Sequence, residues 1–284
     1  MRRATGFTLV ELVTSLIILA IVSVGISGFI RSSMQIFNDV TEREQLLGDS
    51  QFAVERLTRE IRNAIPNSVR LAGDASVHCL QYIPIDYSTF YLQLPQLPGS
   101  DTQLTVVEMG DISGNAYVPV NGSTFAVVYP TRSEDVYDPN QNRRRSILAC
   151  ADDGADTSCS SLDDSDNQAQ LTVSGAFATT SPANRVYMGT VAHNFCVRDK
   201  RLYFHQSSVT ANQPVFNSGG VLMAEFIDNT LSTNPDSQSA GSDDPFRVVD
   251  ASLLSNAYVQ LRLRFNRNDE VINYNQEVRI ANVP

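Results

Sequence analysis

Tryptophan is absent, lysine occurs once, and only 18% of the 284 residues are charged. The single lysine, Lys200, follows Asp199 with no glycine-rich loop before it, so a GxxxxGK(S/T) phosphate loop is missing. No two glycines are spaced GxG, which removes the dinucleotide fingerprint as well. CxxC, HExxH and GxSxG patterns are all lacking, so thioredoxin-like, zinc-peptidase and nucleophile-elbow chemistry have no foothold. Basic charge is scarce beyond the first quarter of the chain: residues 67–284 carry fourteen basic against twenty-four acidic residues, and the net charge is -10. That balance weighs against a general nucleic-acid binder. Hydrophobic residues at 42% still provide a core, so the chain reads as globular, and no motif supports an enzyme.

The most informative stretch is at the start. Between Glu11 and Arg31 lie nineteen residues without a charge, LVTSLIILAIVSVGISGFI. As a helix they measure roughly 30 Å, about one hydrocarbon thickness. Arg2 and Arg3 precede them with no acid in the first ten residues, so a short cytoplasmic stub and an exported remainder are expected. A cleaved secretory signal has similar ingredients, but this apolar run exceeds the usual h-region, no A-x-A site follows, and Glu11 sits where a signal peptide would be apolar.

Downstream, Ile30, Met34, Phe37, Leu47, Val54, Leu57, Ile61 and Ile65 mark a helical stripe, with charges such as Glu55 and Arg59 on the other face and Pro66 as the stop. One helix over 7–65 would be roughly 90 Å long. Gly25, Gly28 and Gly48 are its weak points, where local bending or melting is expected. Beyond Pro66 short β-type runs appear at Leu104–Glu108, Phe125–Tyr129, Ser146–Ala149, Val186–Met188, Val191–Val197, Leu202–His205 and Val221–Ile227. The clearest signal closes the chain: Val259, Leu261, Leu263 and Phe265 alternate with polar residues, a turn covers Asn266–Asp269, and Ile272, Tyr274, Val278 and Ile280 resume the alternation. Apart from Ser146–Ala149, the segments Asp138–Gln170 and Asn229–Pro245 read as exposed loops. Within the first, Arg143, Arg144 and Arg145 face a stretch of six acids over 152–166, and mutual neutralisation on a solvated surface is the expected outcome.

Four cysteines in an exported domain allow three pairings, which sequence alone does not decide. Cys150 with Cys159 inside one loop, and Cys79 with Cys196 between distant β segments, is the favoured set. His78, His193 and His205 show no paired spacing and read as core or surface residues.

Gly6-Phe7-Thr8-Leu9-Val10-Glu11-Leu12 resembles the class III signal of type IV prepilins and of type II secretion pseudopilins. The resemblance implies that a membrane aspartyl prepilin peptidase cuts after Gly6 and that Phe7, the new N-terminus, is N-methylated. It also implies that Glu11 registers against the N-terminal amine of a neighbouring subunit. The mature net charge would be -12 once Arg2 and Arg3 are removed. Shorter stretches are similar to the minor pilins of the MSHA pilus, of the MshO type, and to the related PilW-type minor pilins. They are Arg59–Arg70, Cys79–Ile85, Ser181–Val186, Phe195–Tyr203 and Gln276–Pro284.

This implies an α+β fold: leader 1–6, a membrane-spanning half-helix 7–30, an amphipathic half 31–66, and a β-rich, mainly antiparallel head 67–284. The implied role is a minor pilin that primes assembly at or near the tip of a type IV pilus. Its partners would be other minor and major pilins and the inner-membrane assembly platform, with a periplasmic head that reaches the cell surface after assembly. A J-type minor pseudopilin, or a tip subunit binding a surface or DNA, is the alternative; Glu11 argues against the extreme tip position, because the capping subunit of related systems lacks that acid. Some pseudopilins bind Ca²⁺, and Asp152, Asp153 and Asp156 are the acidic candidates for such a site here, although their spacing does not fit an EF-hand. No other cofactor is expected.

Overall fold

The computed structural model describes residues 6, 8–107, 110, 116–152, 159, 167–235, 242–249, 257–268 and 270–280. Two compact units are separated between Asp49 and Ser50. Helix α1 (Leu9–Arg62) supplies all the described regular structure of the first unit and the opening segment of the second.

In the first unit, every side chain from Leu9 to Val40 is exposed, including Leu16, Ile21 and Phe29. The helix runs unbroken through Gly25, Gly28 and Gly48, so it does not melt at these positions. A glycine costs about 1 kcal/mol in a helix interior. Opening the backbone of an apolar span costs several kcal/mol per unsatisfied group, so the helix wins. Of the predicted stripe, Ile30, Met34 and Phe37 remain exposed in the isolated chain.

In the second unit, Ala53, Val54, Leu57 and Ile61 return at three- and four-residue steps and are at most 3% exposed. The apolar face of the helix is therefore core from Ala53 onward. The helix stops three residues short of the expected Ile65, because the Ile65 N–H donates to the Ile83 carbonyl at 2.8 Å and Asn67 takes φ 57°. The Glu55 side chain accepts from Gln51, and the i,i+4 ion pair of this segment is Arg56–Glu60 at 2.8 Å.

Three antiparallel systems follow. A five-stranded sheet has the order β1 (Arg70–Asp74), β2 (Val77–Tyr82), β9 (Ala192–Arg198), β10 (Arg201–Ser207) and β11 (Val221–Ala224). A three-stranded sheet combines β12 (Phe246–Val249), β13 (Tyr258–Arg267) and β14 (Glu270–Arg279). Between β2 and β9 in sequence, a six-stranded barrel closes in the order β3 (Tyr87–Gln93), β4 (Gln103–Val107), β7 (Gln168–Val173), β6 (Arg144–Asp152), β5 (Phe125–Val128) and β8 (Arg185–Gly189). Because β2 and β9 pair directly, with Tyr82 opposite His193 and Cys79 opposite Cys196, the barrel is an insertion between adjacent strands. Its interior is a core of its own, built on Leu104, Val106, Ile147, Leu171, Phe177 and Met188. A second cluster, including Ile65, Ile83, Phe125, Tyr137 and Tyr187, joins the outer wall of the barrel to the rest of the head.

The expected terminal hairpin is β13–β14: Val259, Leu261, Leu263 and Phe265 are at most 1% exposed. The two loop assignments need correction. Asp138–Gln170 contains a 3₁₀ turn at Pro139–Gln141, the nine-residue strand β6 and the first residues of β7. Asn229–Pro245 is anchored where described, since Asp244 is 3% exposed and accepts from the Ser232 N–H at 2.8 Å. Lys200 sits with Asp199 in the two-residue β9–β10 turn, both at positive φ as a type I′ hairpin requires, and its Nζ donates to Asp228 at 2.9 Å.

Candidate functional site

The signal region is built around the first turn of α1. Thr8 precedes the helix and Glu11 stands three residues on, the spacing of a capping box. The Thr8 N–H and hydroxyl donate to the Glu11 carboxylate at 3.0 and 2.8 Å, and the Glu11 N–H reaches back to the Thr8 hydroxyl at 3.4 Å. Two otherwise orphaned helix donors are satisfied, and the carboxylate lies at the positive end of the helix dipole. Gly6 lies just before this turn and is exposed, and Phe7 lies outside the described residues. Thr14, Ser23 and Ser27 donate their hydroxyls to carbonyls one turn back, at 2.7 to 3.1 Å, which satisfies these polar side chains within the apolar stretch. An 18-residue window has mean hydropathy 2.5 and no burial, long and apolar enough to cross a membrane. Phe29, Ile30, Met34 and Phe37 then line a shallow apolar groove of about 420 Å³ with Ser33 and Asn38.

The disulfides are Cys79–Cys196 and Cys150–Cys159. The first staples β2 to β9; the second ties Cys150 on β6 to Cys159. Of the acidic candidates for Ca²⁺, Asp152 is the last residue of β6, and Asp153 and Asp156 lie outside the described residues. Among the described residues no group of three or more metal-ligating side chains converges.

The arginine triplet is half-buried and bonded to neighbouring loops. Arg143 donates to the Tyr129 carbonyl and lies 3.6 Å from Asp135, Arg144 donates to Tyr137 O at 3.2 Å, and Arg145 donates to Ala176 O at 2.9 and 2.6 Å. Among the described residues these guanidinium groups bond to carbonyls, to the Asn142 side chain and to Asp135, and so fasten the loops around the barrel; the acids of 153–166 lie outside the described residues. Tertiary closure places carbonyl groups within reach that charge patterning does not reveal.

A polar cluster that sequence reasoning missed fixes α1 to the head. Arg56 donates to Glu60 Oε1 at 2.8 Å, and the fully buried Tyr82 donates its hydroxyl to Glu60 Oε2 at 2.8 Å. His193 Nδ1 lies 3.2 Å from the same hydroxyl, and its Nε2 is 3.1 Å from the Gln206 amide nitrogen. With Gln206 donating to Nε2, the network assigns the proton to Nδ1, which donates to Tyr82 Oη. Burial raises the Tyr82 pKa, with Glu60 adding to it, and burial lowers that of His193 against the opposing pull of Glu60 and Asp86. The arrangement is a directional chain of hydrogen bonds that holds a helix on a sheet. Its members are separated by up to 150 positions in sequence, and each lacks a local signature.

The prokaryotic N-terminal methylation motif matches residues 1–27. That segment carries a type IV prepilin-like signal, and the helix that follows it is long and apolar enough to cross a membrane. No curated protein matches the chain. No solved structure matches it either.

Proposed function

We propose that this protein is a minor pilin of an MSHA-like type IV pilus, cleaved between Gly6 and Phe7, methylated on Phe7, and incorporated at or near the tip. The observation that carries the reading is the methylation motif running directly into one unbroken helix, Leu9–Arg62, whose apolar first part is wholly exposed and whose later part is the core of a β-rich head. An exposed apolar helix of that length needs lipid first and other helices afterwards, which is what a subunit that leaves the membrane to join a filament requires. The head would stand on the periplasmic side, where its two disulfides are chemically stable. In this reading the chain is an assembly subunit and not an enzyme.

Glu11 is the residue that ties the helix to assembly. A carboxylate toward the hydrocarbon costs about 2.5 to 3.5 kcal/mol on insertion-based scales. Its bonds to Thr8 offset part of that cost within one subunit and leave the charge available to a neighbour's N-terminal amine. Glu11→Val should therefore retain cleavage and membrane insertion and lose co-purification with other pilins. An unprocessed Glu11→Val protein, or one that assembles like wild type, would refute the registry role.

A further inference from the structure

The two faces of the five-stranded sheet are covered differently. Leu80, Tyr82, Phe195 and Phe204 alternate onto the face that meets α1, as the Tyr82–Glu60 bond and the Arg56–Phe204 contact show. The residues between them, Cys79, Gln81, Asn194, Cys196, Arg198 and His205, point the other way. That second face is polar, and it carries the Cys79–Cys196 bond.

The segment 208–220, which links β10 to β11, crosses this face as a strap. Arg70 on β1 donates to the carbonyls of Ala211 and Thr210 at 2.6 and 2.8 Å, and Gln213 donates to the Cys79 carbonyl at 2.9 Å. Phe216 packs on the cluster of Val77, Cys79 and Cys196 and stacks on His205 with ring centroids 4.3 Å apart. Arg198 on β9 donates to the carbonyls of Phe216 and Gly219 at 3.2 and 2.6 Å. Gly220 has φ +87°, and a Cβ there would overlap the His205 ring, so the strap can leave the face this closely only at glycine. Both guanidinium groups are thus spent on strap carbonyls. With the strap seated Arg198 is only 6% exposed, and these carbonyls supply the acceptors its buried charge needs.

We propose that strap 208–220 is a seal on Cys79–Cys196 that makes this bond inert to thiol exchange while the head is folded. Both sulfur-bearing residues are 0% exposed, and the aromatic ring of Phe216 lies on the side where the opposite sheet face offers no cover. An attacking thiolate must reach one sulfur along the S–S axis to displace the other, so a ring packed on the pair blocks the step sterically. Cys150 and Cys159 pack against the barrel core but are both partly exposed, unlike Cys79 and Cys196. A thiol-oxidising enzyme, whose own disulfide accepts the two electrons, must then act on Cys79 and Cys196 before the strap seats. Closure of the strap is in this way ordered after closure of the bond.

The test is native-state reduction of the full-length detergent-solubilised protein with dithiothreitol, quenched by alkylation and read by mass at each cysteine. Two dithiol sulfurs give one cyclic disulfide as the protein bond becomes two thiols, so the readout is stoichiometric. The wild type should lose Cys150–Cys159 first, with Cys79–Cys196 slower by about 100-fold or more. Phe216→Ala should accelerate reduction of Cys79–Cys196 by about 10-fold or more and leave Cys150–Cys159 unchanged. Val173→Ala, a cavity in the barrel core away from the strap, controls for general destabilisation. If it speeds Cys79–Cys196 reduction as much as Phe216→Ala at equal loss of Tm, reduction passes through global unfolding and the seal is refuted. Equal rates for the two disulfides in the wild type would refute it as well.

Discussion

Removing one oxygen atom, by Tyr82→Phe, should loosen α1 from the head. The Tyr82 ring stays, stacked on Phe195 at 6.1 Å, so packing is nearly unchanged and the loss is the hydroxyl's two hydrogen bonds. A hydrogen bond to a charged acceptor contributes about 1.5 to 3 kcal/mol. Glu60 retains Arg56 and is 22% exposed, so water can replace part of what is lost, which puts the cost near the lower end, about 1.5 to 2 kcal/mol. For a domain of this size each kcal/mol shifts Tm by about 2 to 4 °C, giving a fall of about 3 to 8 °C. Thermal unfolding should be followed on a fragment beginning at Ser50, because Ala53, Val54, Leu57 and Ile61 belong to the core and a fragment from residue 67 would lack them. Glu60→Gln completes a double-mutant cycle, and the two changes should be non-additive by about 1 kcal/mol or more. Unchanged stability in Tyr82→Phe, or strict additivity in the cycle, would refute the hydrogen-bond chain.

Two further perturbations are worked from the same head. Burial holds the His193 pKa below its unfolded value of about 6.5, so the neutral form favours the folded state; that stabilisation is complete above about pH 6.5 and is lost as the pH falls through the folded pKa. Tm measured from pH 7.5 to 5 should fall less steeply in His193→Gln than in wild type, and identical slopes would contradict the burial argument. Replacing Cys79 and Cys196 together by Ala should cost about 4 to 5 kcal/mol, against about 2.5 for the Cys150/Cys159 pair, because the first closes 117 residues of sequence and the second 9. Denaturant midpoints in the reverse order would show that strain or residual structure outweighs chain entropy.

Some of this architecture is written locally and some is not. The β13–β14 hairpin was legible because one face is buried and the other solvated, so Val259 to Phe265 alternate cleanly with polar residues. Strand β2 escaped for the opposite reason: α1 covers one face and the 208–220 strap the other, all six residues of VHCLQY are buried, and no period of two survives. The barrel strand β3, YSTFYLQ, mixes hydroxyl and amide side chains into both faces, β7, QAQLTV, alternates cleanly but over only six residues inside a polar stretch, and closure depends on pairings such as β3 with β8 that lie about a hundred residues apart. The helix stripe gave the period correctly but not which part of it the single chain buries, since Met34 and Phe37 look no different in sequence from Leu57 and Ile61. At the signal, Gly6, Phe7 and Glu11 could be singled out because that motif is contiguous. The Thr8–Glu11 capping box was readable from its T-x-x-E spacing, whereas the Glu60–Tyr82–His193 chain joins three elements and had no such mark.

The central claim is that this chain is a processed prepilin, and the intact mass of the membrane-extracted protein tests it most directly. The account predicts a chain that begins at Phe7 and carries one added methyl group, with both disulfides oxidised. A mass that retains Met1 through Gly6, or one that corresponds to a cut near residue 28 after the apolar stretch, would contradict it.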